Sequence, residues 1–149
     1  MPQSQASGAV NGGRIMKEIR INGRKQFGGQ ATAEALVSKG PLEGFANQSP
    51  RDGWVTERDH PLYKVPYKDK VLVYTYARGS GGFAAFGSGP NLPAAFVHHK
   101  SNALSNAAAL NGRIPSVTDL ETDPTTVIET GDKVFVNGDE GYIIVYKND

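Results

Sequence analysis

The amino-acid sequence predicts one α/β domain, with a compact β-sandwich or barrel-like core and flanking helices. Strand and helix patterns alternate in the middle of the chain, and hairpin-like segments lie near its ends. This order of elements is typical of α/β architectures. The chain has 149 residues, a length at which one core buries about 70% of the surface that the unfolded chain exposes. A single domain is therefore expected.

Five segments have the apolar alternation or the β-branched composition of strands. They are residues 17–22, 30–38, 70–77, 94–98 and 116–119. The clearest is 70–77 (Lys-Val-Leu-Val-Tyr-Thr-Tyr-Ala), which is apolar on both faces, as a central strand of a covered sheet would be. The long loop 39–67 precedes it and contains Trp54, Tyr63 and Tyr67. We expect this loop to pack against the core.

Residues 101–110 predict the one clear helix. Ser101 or Asn102 can cap its start, and alanines and leucines fill it. Gly112 lies just past its predicted end and Pro115 lies beyond, which is a typical termination pattern.

The C-terminal part of the chain predicts a β-hairpin. Its strands are residues 133–136 (Lys-Val-Phe-Val) and 142–145 (Tyr-Ile-Ile-Val), joined by Asn-Gly-Asp-Glu-Gly. Asn137 and Gly138 are expected to supply the positive φ values that a tight turn requires.

Residues 1–16 are predicted to form a disordered tail, and residues 17–149 the single domain. The first fourteen residues are rich in Gln, Ser, Gly and Asn and lack the charged-then-apolar layout of a secretory signal. Met16 is a second plausible start. No apolar run approaches the roughly 20 residues that a membrane-spanning helix needs, so no membrane segment is expected.

Composition excludes several classes of function. Sixteen basic and fifteen acidic residues give a net charge of +1, without a basic stripe, so nucleic acid and membrane surfaces are not favoured partners. The chain has no cysteine. Disulfides, thiolate nucleophiles and cysteine-ligated metals or iron–sulfur clusters are therefore excluded for this chain, though not for a partner. The absence of cysteine also fits a cytoplasmic location.

The strongest candidate site is the glycine-rich segment after the central strand: Arg78, Gly79, Ser80, Gly81 and Gly82. Glycines permit left-handed conformations, so that successive backbone N–H groups can converge on an anion. Arg78 adds a planar fork suited to a carboxylate or phosphate, and Ser80 adds a hydroxyl. A helix turn starting in Phe-Ala-Ala, directly after the glycines, would contribute its positive end. The other interpretation, a turn whose glycines only avoid clashes, stays open at this point.

The histidines do not indicate a metal site. His60 lies before a proline in a loop, where a hydrogen-bonding surface role is commoner than general base catalysis. His98 and His99 are adjacent at a strand end, so their side chains point to opposite faces and cannot ligate one metal together. No other metal-ligand spacing, nucleophile elbow or Walker pattern is present in the sequence.

Eight short segments form an ordered series along residues 19–145. They are 29–38 (Gly-Gln-Ala-Thr-Ala-Glu-Ala-Leu-Val-Ser), 41–42 (Pro-Leu), 59–62 (Asp-His-Pro-Leu), 70–73 (Lys-Val-Leu-Val), 78–80 (Arg-Gly-Ser), 93–95 (Pro-Ala-Ala), 112–115 (Gly-Arg-Ile-Pro) and 130–141 (Thr-Gly-Asp-Lys-Val-Phe-Val-Asn-Gly-Asp-Glu-Gly). In this order they resemble the small, swivelling subunit of aconitase X-type dehydratases.

The resemblance implies a swivelling β/β/α fold that closes over a larger subunit. That subunit carries the cysteines for an iron–sulfur cluster, whereas this chain is expected to bind no metal or cofactor itself. The implied activity is that of a hydro-lyase (dehydratase) subunit, active only with its larger partner, on a small-molecule carboxylate. Bacterial members of the family dehydrate cis-3-hydroxy-L-proline, and archaeal members dehydrate mevalonate 5-phosphate.

The resemblance also implies roles for the site residues. The serine after Arg-Gly is the family's candidate base, which removes a proton next to a carboxylate, and here it is Ser80. A serine alkoxide requires a dry site with cations or N–H donors nearby. The expected substrate contacts are Arg78, Gly79, Gly81 and Gly82, with His60 as a candidate loop contact.

Two alternatives remain open in the sequence. The family's usual run of hydroxyl residues after Arg-Gly is reduced here to Ser80, which is followed by Gly-Gly-Phe-Ala. A divergent member acting as an isomerase or hydratase on another carboxylate is one alternative, and a non-catalytic anion-binding module is the other. The related phosphohistidine domain of phosphoenolpyruvate-using enzymes is excluded, because residues 101–104 (Ser-Asn-Ala-Leu) lack the histidine that it needs.

Overall fold

The computed structural model describes residues 4–11, 14–43, 65–79 and 81–148, together with Gly53 and Leu62. Within these residues the strands are β1 Ser4–Asn11, β2 Arg14–Asn22, β3 Arg24–Phe27, β4 Gln30–Val37, β5 Leu42–Glu43, β6 Val71–Tyr74, β7 Ala77–Arg78, β8 Ala95–His98, β9 Ser116–Thr118, β10 Lys133–Asn137 and β11 Tyr142–Asn148. The helices are α1 Ala103–Gly112 and the 3₁₀ helices Gly81–Gly87 and Pro124–Thr126. All five predicted strands and the C-terminal hairpin are present.

Nine strands form one mixed sheet in the order β1-β2-β11-β10-β4-β6-β8-β9-β3. The central strands β4, β6, β8 and β9 are parallel, and the pairings on either side of them are antiparallel. The short strands β5 and β7 form a separate parallel pair. A large mixed sheet with few helices confirms the predicted α/β class.

The sheet curls back on itself at Gly23. Strands β2 and β3 are separated in sequence by this residue alone, yet seven places separate them in the strand order. The N–H of Gly23 donates to the carbonyl of Gly141 at 2.8 Å. A Cβ at Gly23 would lie 2.7 Å from the carbonyl oxygen of Thr118. The chain therefore passes between two other strands here, at a point where only glycine fits.

Two apolar clusters cover the two faces of the sheet. The inner cluster lies inside the curl and contains Ile21, Val37, Val71, Val73, Val97, Ile128, Val136 and Val145, among others. The outer cluster lies beneath the helices and contains Leu36, Leu42, Tyr67, Leu72, Tyr74, Phe83, Phe86, Phe96 and Ala108, among others. Strand β6 contributes alternate side chains to both clusters, because side chains of a strand alternate between faces. This confirms the prediction of a central strand covered on both sides.

Helix α1 begins and ends differently in detail from its prediction. Asn102 is the N-cap, and it forms a capping box with Ser105. Gly112 is the last helical residue, and Arg113 adopts the left-handed conformation with φ 52°. Gly112 is required for packing rather than for its φ, because a Cβ there would lie 2.8 Å from the carbonyl oxygen of Gly87.

The hairpin between β10 and β11 has its predicted strands, but the predicted turn geometry is wrong. The positive φ, 83°, belongs to Gly141 and not to Asn137 or Gly138. The side-chain oxygen of Asn137 instead accepts from the N–H groups of Asp139 and Glu140, at 3.1 and 3.0 Å. Gly138 is needed for close approach, because a Cβ there would lie 2.1 Å from the carbonyl oxygen of Phe27.

The structure differs from the sequence prediction near the N-terminus. Residues 4–11, predicted as part of a disordered tail, form β1, which pairs antiparallel with β2 from Ser4 opposite Ile21 to Asn11 opposite Arg14. Composition does not reveal such pairing, because a polar segment gains backbone hydrogen bonds beside any available strand edge. The domain start at residue 17 stays a prediction. None of the helices in the described ranges has the length and apolar character needed to cross a bilayer.

Candidate functional site

The glycine-rich segment lies at the carboxyl edge of the parallel strands. Strand β6 ends at Tyr74, and the chain continues through β7 to Gly79, which has φ 97°. A 3₁₀ helix then begins at Gly81, two residues before the predicted helix turn. Ligands of open α/β sheets commonly bind at this edge. Ser80 and His60, two of the predicted site residues, lie outside the described residues.

Arg78 is positioned by the pairing of β5 with β7. Leu42 lies opposite Ala77 and Glu43 lies opposite Arg78 in this parallel ladder. An Arg78 guanidinium nitrogen is 3.8 Å from a Glu43 carboxylate oxygen, and the side chains are 54% and 36% exposed. An ion pair this exposed contributes little to stability. The guanidinium is therefore available to a stronger anionic partner.

Helix α1 is fixed to the strand that carries Arg78. The side-chain Nδ2 of Asn102 donates to the carbonyl oxygen of Ala77 at 2.7 Å. The Oδ1 of the same side chain accepts from the N–H groups of Leu104 and Ser105, at 3.0 and 3.1 Å. One amide thus caps the helix and connects it to β7. It places the positive end of the helix dipole beside the strand before Arg78, which favours anions there.

The 3₁₀ helix Gly81–Gly87 anchors the far side of the glycine-rich segment. Phe83 and Phe86 are fully buried, with ring centroids 5.9 Å from Tyr74 and 5.4 Å from Tyr67, respectively. Asn111 Nδ2 donates to the carbonyl oxygens of Ala84 and Gly87, both at 3.3 Å. The segment therefore runs from an exposed Gly79 into a helix held in the outer cluster. Of the loop residues of 39–67 predicted to pack down, Tyr67 is buried, whereas Trp54 and Tyr63 lie outside the described residues.

A group of buried polar side chains lies beneath the site. His98, at the end of β8, is fully buried and stacks on Tyr74 with ring centroids 5.0 Å apart. Both ring nitrogens of His98, the Tyr74 hydroxyl and the Thr75 hydroxyl lack a hydrogen-bond partner within the described part of the chain. Burial lowers the pKa of His98 to about 3, although the charge of Asp119 acts in the opposite direction. Burial also raises the pKa of Tyr74. Both groups are therefore neutral at physiological pH.

The sequence prediction did not identify this group. It placed His98 and His99 on opposite faces, which agrees with a buried His98 and a half-buried His99. A signal for the burial of His98 was available in the sequence, because His98 is the last residue of an apolar strand. In the structure it lies opposite Tyr74 of the neighbouring strand. No cluster of three or more His, Asp or Glu side chains that could hold a metal occurs among the described residues.

The polar edge continues to β9 through Asp119, which directly follows the end of that strand and has φ 50°. Asp119 forms an ion pair with Arg24, and its Oδ1 accepts from the N–H of Ser101 at 3.1 Å. Arg24 also donates to the Ser101 hydroxyl at 3.1 Å. Asp119 is thus bound to the residue that precedes the N-cap of α1. Its role in the described structure is to hold the helix start in place.

Residues 20–145 match the family model of the aconitase X swivel domain, and the chain belongs to this family. The resemblance seen in the sequence is confirmed. Similar proteins include a phosphomevalonate dehydratase small subunit of Methanosarcina mazei, which is 35% identical over 89% of this chain and 94% of that protein. Another, from Methanocella arvoryzae, is 34% identical over 84% of this chain and 98% of that protein.

The fold agrees with a solved structure of the same family. The crystal structure of Thermococcus kodakaraensis aconitase X in its holo-form superposes with a TM-score of 0.77 and 26% sequence identity. The match covers 85% of this chain and 97% of that chain. The predicted swivelling-domain architecture is therefore confirmed over most of the chain.

Proposed function

We propose that this chain is the small subunit of a phosphomevalonate dehydratase, a hydro-lyase that acts on a phosphorylated 3-hydroxy acid together with a larger subunit. The near full-length relatives from two archaea support the proposal by name. The observation that carries it is the position of Arg78, half-exposed at the carboxyl edge of the parallel strands and beside the start of α1. We assign the reaction to the cytoplasm, which a cysteine-free composition accommodates.

The proposed reaction requires stabilisation of charge on a carboxylate. A base removes the proton from the carbon next to the carboxylate, and the C–H electron pair forms a C=C bond. The hydroxyl group on the next carbon leaves with the electron pair of its C–O bond and takes up one proton to give water. Negative charge accumulates on the carboxylate before the C–O bond breaks. A fixed guanidinium and preorganised N–H donors at that position lower the barrier, because they interact most strongly with the developing charge. Arg78 and the N–H groups of Gly79, Gly81 and Gly82 are the proposed donors.

Ser80 is the proposed base. Its alkoxide is a high-energy species in water and requires a site from which water is excluded and in which cations are near. Closure of this subunit over the larger one would exclude water from the exposed edge at Gly79. The guanidinium of Arg78 and the positive end of α1 would then favour the ionised serine.

An iron–sulfur cluster, if this enzyme uses one, is proposed to reside in the larger subunit. This chain has no cysteine to supply thiolate ligands, and the described part of it contains no alternative group of metal-ligating side chains. Such a cluster would serve as a Lewis acid for the leaving hydroxyl. The contribution of this chain is to bind the carboxylate, orient the substrate and move the proton.

The test is co-expression with the larger subunit encoded by the same organism, followed by an assay of water loss from mevalonate 5-phosphate. We expect a stable two-chain complex with dehydratase activity. The Ser80→Ala variant should form the same complex and lose nearly all activity. Ser88→Ala is the matched control, because Ser88 is a nearby serine whose hydroxyl donates to the carbonyl of Ala85, and it should remain active. Activity retained in Ser80→Ala would remove Ser80 from the mechanism.

Two further measurements separate the alternatives. Turnover of cis-3-hydroxy-L-proline in place of mevalonate 5-phosphate would change the substrate but keep the dehydratase assignment. An isomer of the substrate, rather than an unsaturated product, would identify an isomerase. A chain that purifies alone and binds the substrate without a partner would contradict the subunit assignment and favour an anion-binding module.

A further inference from the structure

A polar cleft of about 270 Å³ opens at the carboxyl end of β4. Its lining residues are Val37, Lys39, Thr125, Thr126, Ile128, Glu129 and Thr130. Val37 and Ile128 belong to the inner apolar cluster and form the apolar part of the wall. The remaining lining side chains are polar or charged. The volume is ample for a phosphate group and part of the carbon chain attached to it.

Lys39 provides the positive charge of this cleft. Its side chain is exposed and forms no ion pair with any described residue. The cleft also contains the carboxylate of Glu129, which lies 3.7 Å from the ammonium of Lys147. Lys147 also pairs with Asp132 at 2.5 Å. The Glu129 charge is therefore partly balanced from outside the cleft, whereas the charge of Lys39 is not balanced by any described side chain.

Of the three threonine hydroxyl groups in the cleft, one can donate a hydrogen bond to a bound anion. Thr130 Oγ1 accepts from the N–H of Val37 at 3.0 Å, which leaves its own proton available, since a hydroxyl can donate and accept at once. Thr125 and Thr126 are already used, because their hydroxyls donate to the carboxylate and to the carbonyl of Asp123. Asp123 also accepts from the N–H of Thr125. The cleft thus offers one ammonium group and one free hydroxyl donor to an anion.

The cleft and Arg78 lie on the same edge of the sheet. The chain leaves the cleft at Lys39 and reaches Glu43, the residue opposite Arg78, within four residues, a span of at most about 14 Å. Strand β4, which ends at Val37 in the wall of the cleft, pairs in parallel with β6, and Val37 lies opposite Val73. The segments that lead to Lys39 and to Arg78 therefore leave the sheet at the same edge.

The backbone of this connection is well fixed. The N–H of Thr75 donates to the carbonyl of Gly40 at 3.2 Å, and the N–H of Leu42 donates to the carbonyl of Tyr76 at 3.1 Å. These bonds join the segment after Lys39 to the segment before Arg78. The backbone positions that carry Lys39 and Arg78 are therefore fixed relative to each other, as two subsites for one small molecule require.

We propose that the Lys39 cleft binds the phosphate group of the substrate while Arg78 holds its carboxylate. The inference rests on the proposed function and adds the subsite that selects a substrate with an anionic group at each end. The side-chain types suit these roles. An ammonium group binds phosphate as a point charge, whereas the planar guanidinium matches a carboxylate in two parallel hydrogen bonds.

The test uses the two-subunit complex with Lys39→Met, which removes the charge and keeps the length of the side chain. We expect the KM for mevalonate 5-phosphate to rise at least tenfold, with kcat little changed, because the phosphate group that Lys39 would bind is not attached to a reacting carbon. Lys39→Arg should restore most of the affinity. Lys68→Met, at an exposed lysine in a turn, is the matched control and should behave like wild type.

Inorganic phosphate tests the cleft separately from the reaction. In the wild-type complex it should inhibit competitively against the substrate, and this inhibition should weaken at least tenfold in Lys39→Met. A calorimetric titration with phosphate compares the phosphate affinities of the wild-type and Lys39→Met complexes in the absence of turnover. A wild-type complex that binds phosphate through Lys39 but does not dehydrate mevalonate 5-phosphate would refute the proposed function and retain an anion site. Unchanged KM and unchanged phosphate binding in Lys39→Met would overturn the inference.

Discussion

The buried imidazole of His98 makes the stability of this protein depend on pH in a way that can be calculated. The imidazole has a pKa of 6.5 in an unfolded chain and about 3 in the folded protein, because burial disfavours its charged form. As pH falls below 6.5 the unfolded state takes up a proton that the folded state does not bind. Folding stability is therefore lost from pH 6.5 downwards, and the loss attributable to His98 is complete near pH 3.

The size of the effect at an accessible pH follows directly. Each pH unit below the unfolded pKa costs about 1.4 kcal/mol while the folded imidazole stays neutral. At pH 5 the expected loss, relative to pH 8, is thus about 2 kcal/mol from His98 alone. Protonation of carboxylates adds to the pH dependence of every variant. The informative quantity is therefore the difference between variants.

The assay is urea unfolding of the chain at pH 8 and at pH 5, for wild type, His98→Phe and His99→Gln. The loss of unfolding free energy between the two pH values should be about 2 kcal/mol smaller in His98→Phe than in wild type. Any packing cost of the larger ring is present at both pH values and cancels in this comparison. The half-buried His99 serves as the control, and its variant should resemble wild type. An equal loss in His98→Phe and wild type would refute the reasoning from burial.

Three other substitutions have defined outcomes. Gly87→Ala should lower the free energy of unfolding by about 1–3 kcal/mol, because its Cβ would lie 2.1 Å from a backbone carbonyl oxygen of α1. Gly40→Ala is the control, since nothing lies within 4 Å of its Cβ, and its melting temperature should be close to that of wild type. Asn102→Ala should cost about 1 kcal/mol for the lost cap and raise the KM of the assembled enzyme, whereas Asn102→Asp keeps the cap and should show mainly the KM effect. Glu43→Gln should change the free energy of unfolding by less than about 0.5 kcal/mol. It should also lower the KM for substrate, since it frees the Arg78 guanidinium from its ion pair. An unchanged KM would show that this ion pair does not compete with substrate.

The elements of the fold were predictable because local patterns determine them. The apolar, β-branched composition of β6 and the alanine-rich composition of α1 both indicate buried elements. Both elements lie within a few residues of their predicted positions. The predicted roles of individual glycines were less accurate. Gly112 was expected to terminate α1 and Gly138 to form the hairpin turn, but each is needed where another backbone passes too close for a Cβ. Such contacts join residues distant in sequence, so a local pattern does not contain them.

The position of Arg78 at the end of the buried strand segment was predictable for the same reason, while its role in the candidate site stays a prediction. Arg78 was identified from its place between a buried strand and a run of glycines. The amide of Asn102 was predicted only as a helix cap, and its second bond, to Ala77, depends on how α1 packs across the sheet. Lys39 has no distinctive neighbours in the sequence. The cleft beside it forms from β4 and from residues near position 128, which are brought together only by the completed sheet.

The position of β11 within the sheet affects how this protein folds during its synthesis. Strand β11 contains the last described residues of the chain, and it lies between β2 and β10. A nascent chain that lacks it exposes an unpaired edge on each of these strands, and such edges pair readily with other chains. The antiparallel half of the sheet thus stays open until residues 142–148 have been synthesised. Variants that lack residues 142–148 are accordingly expected to aggregate during expression, even though the residues of the candidate site would all be present.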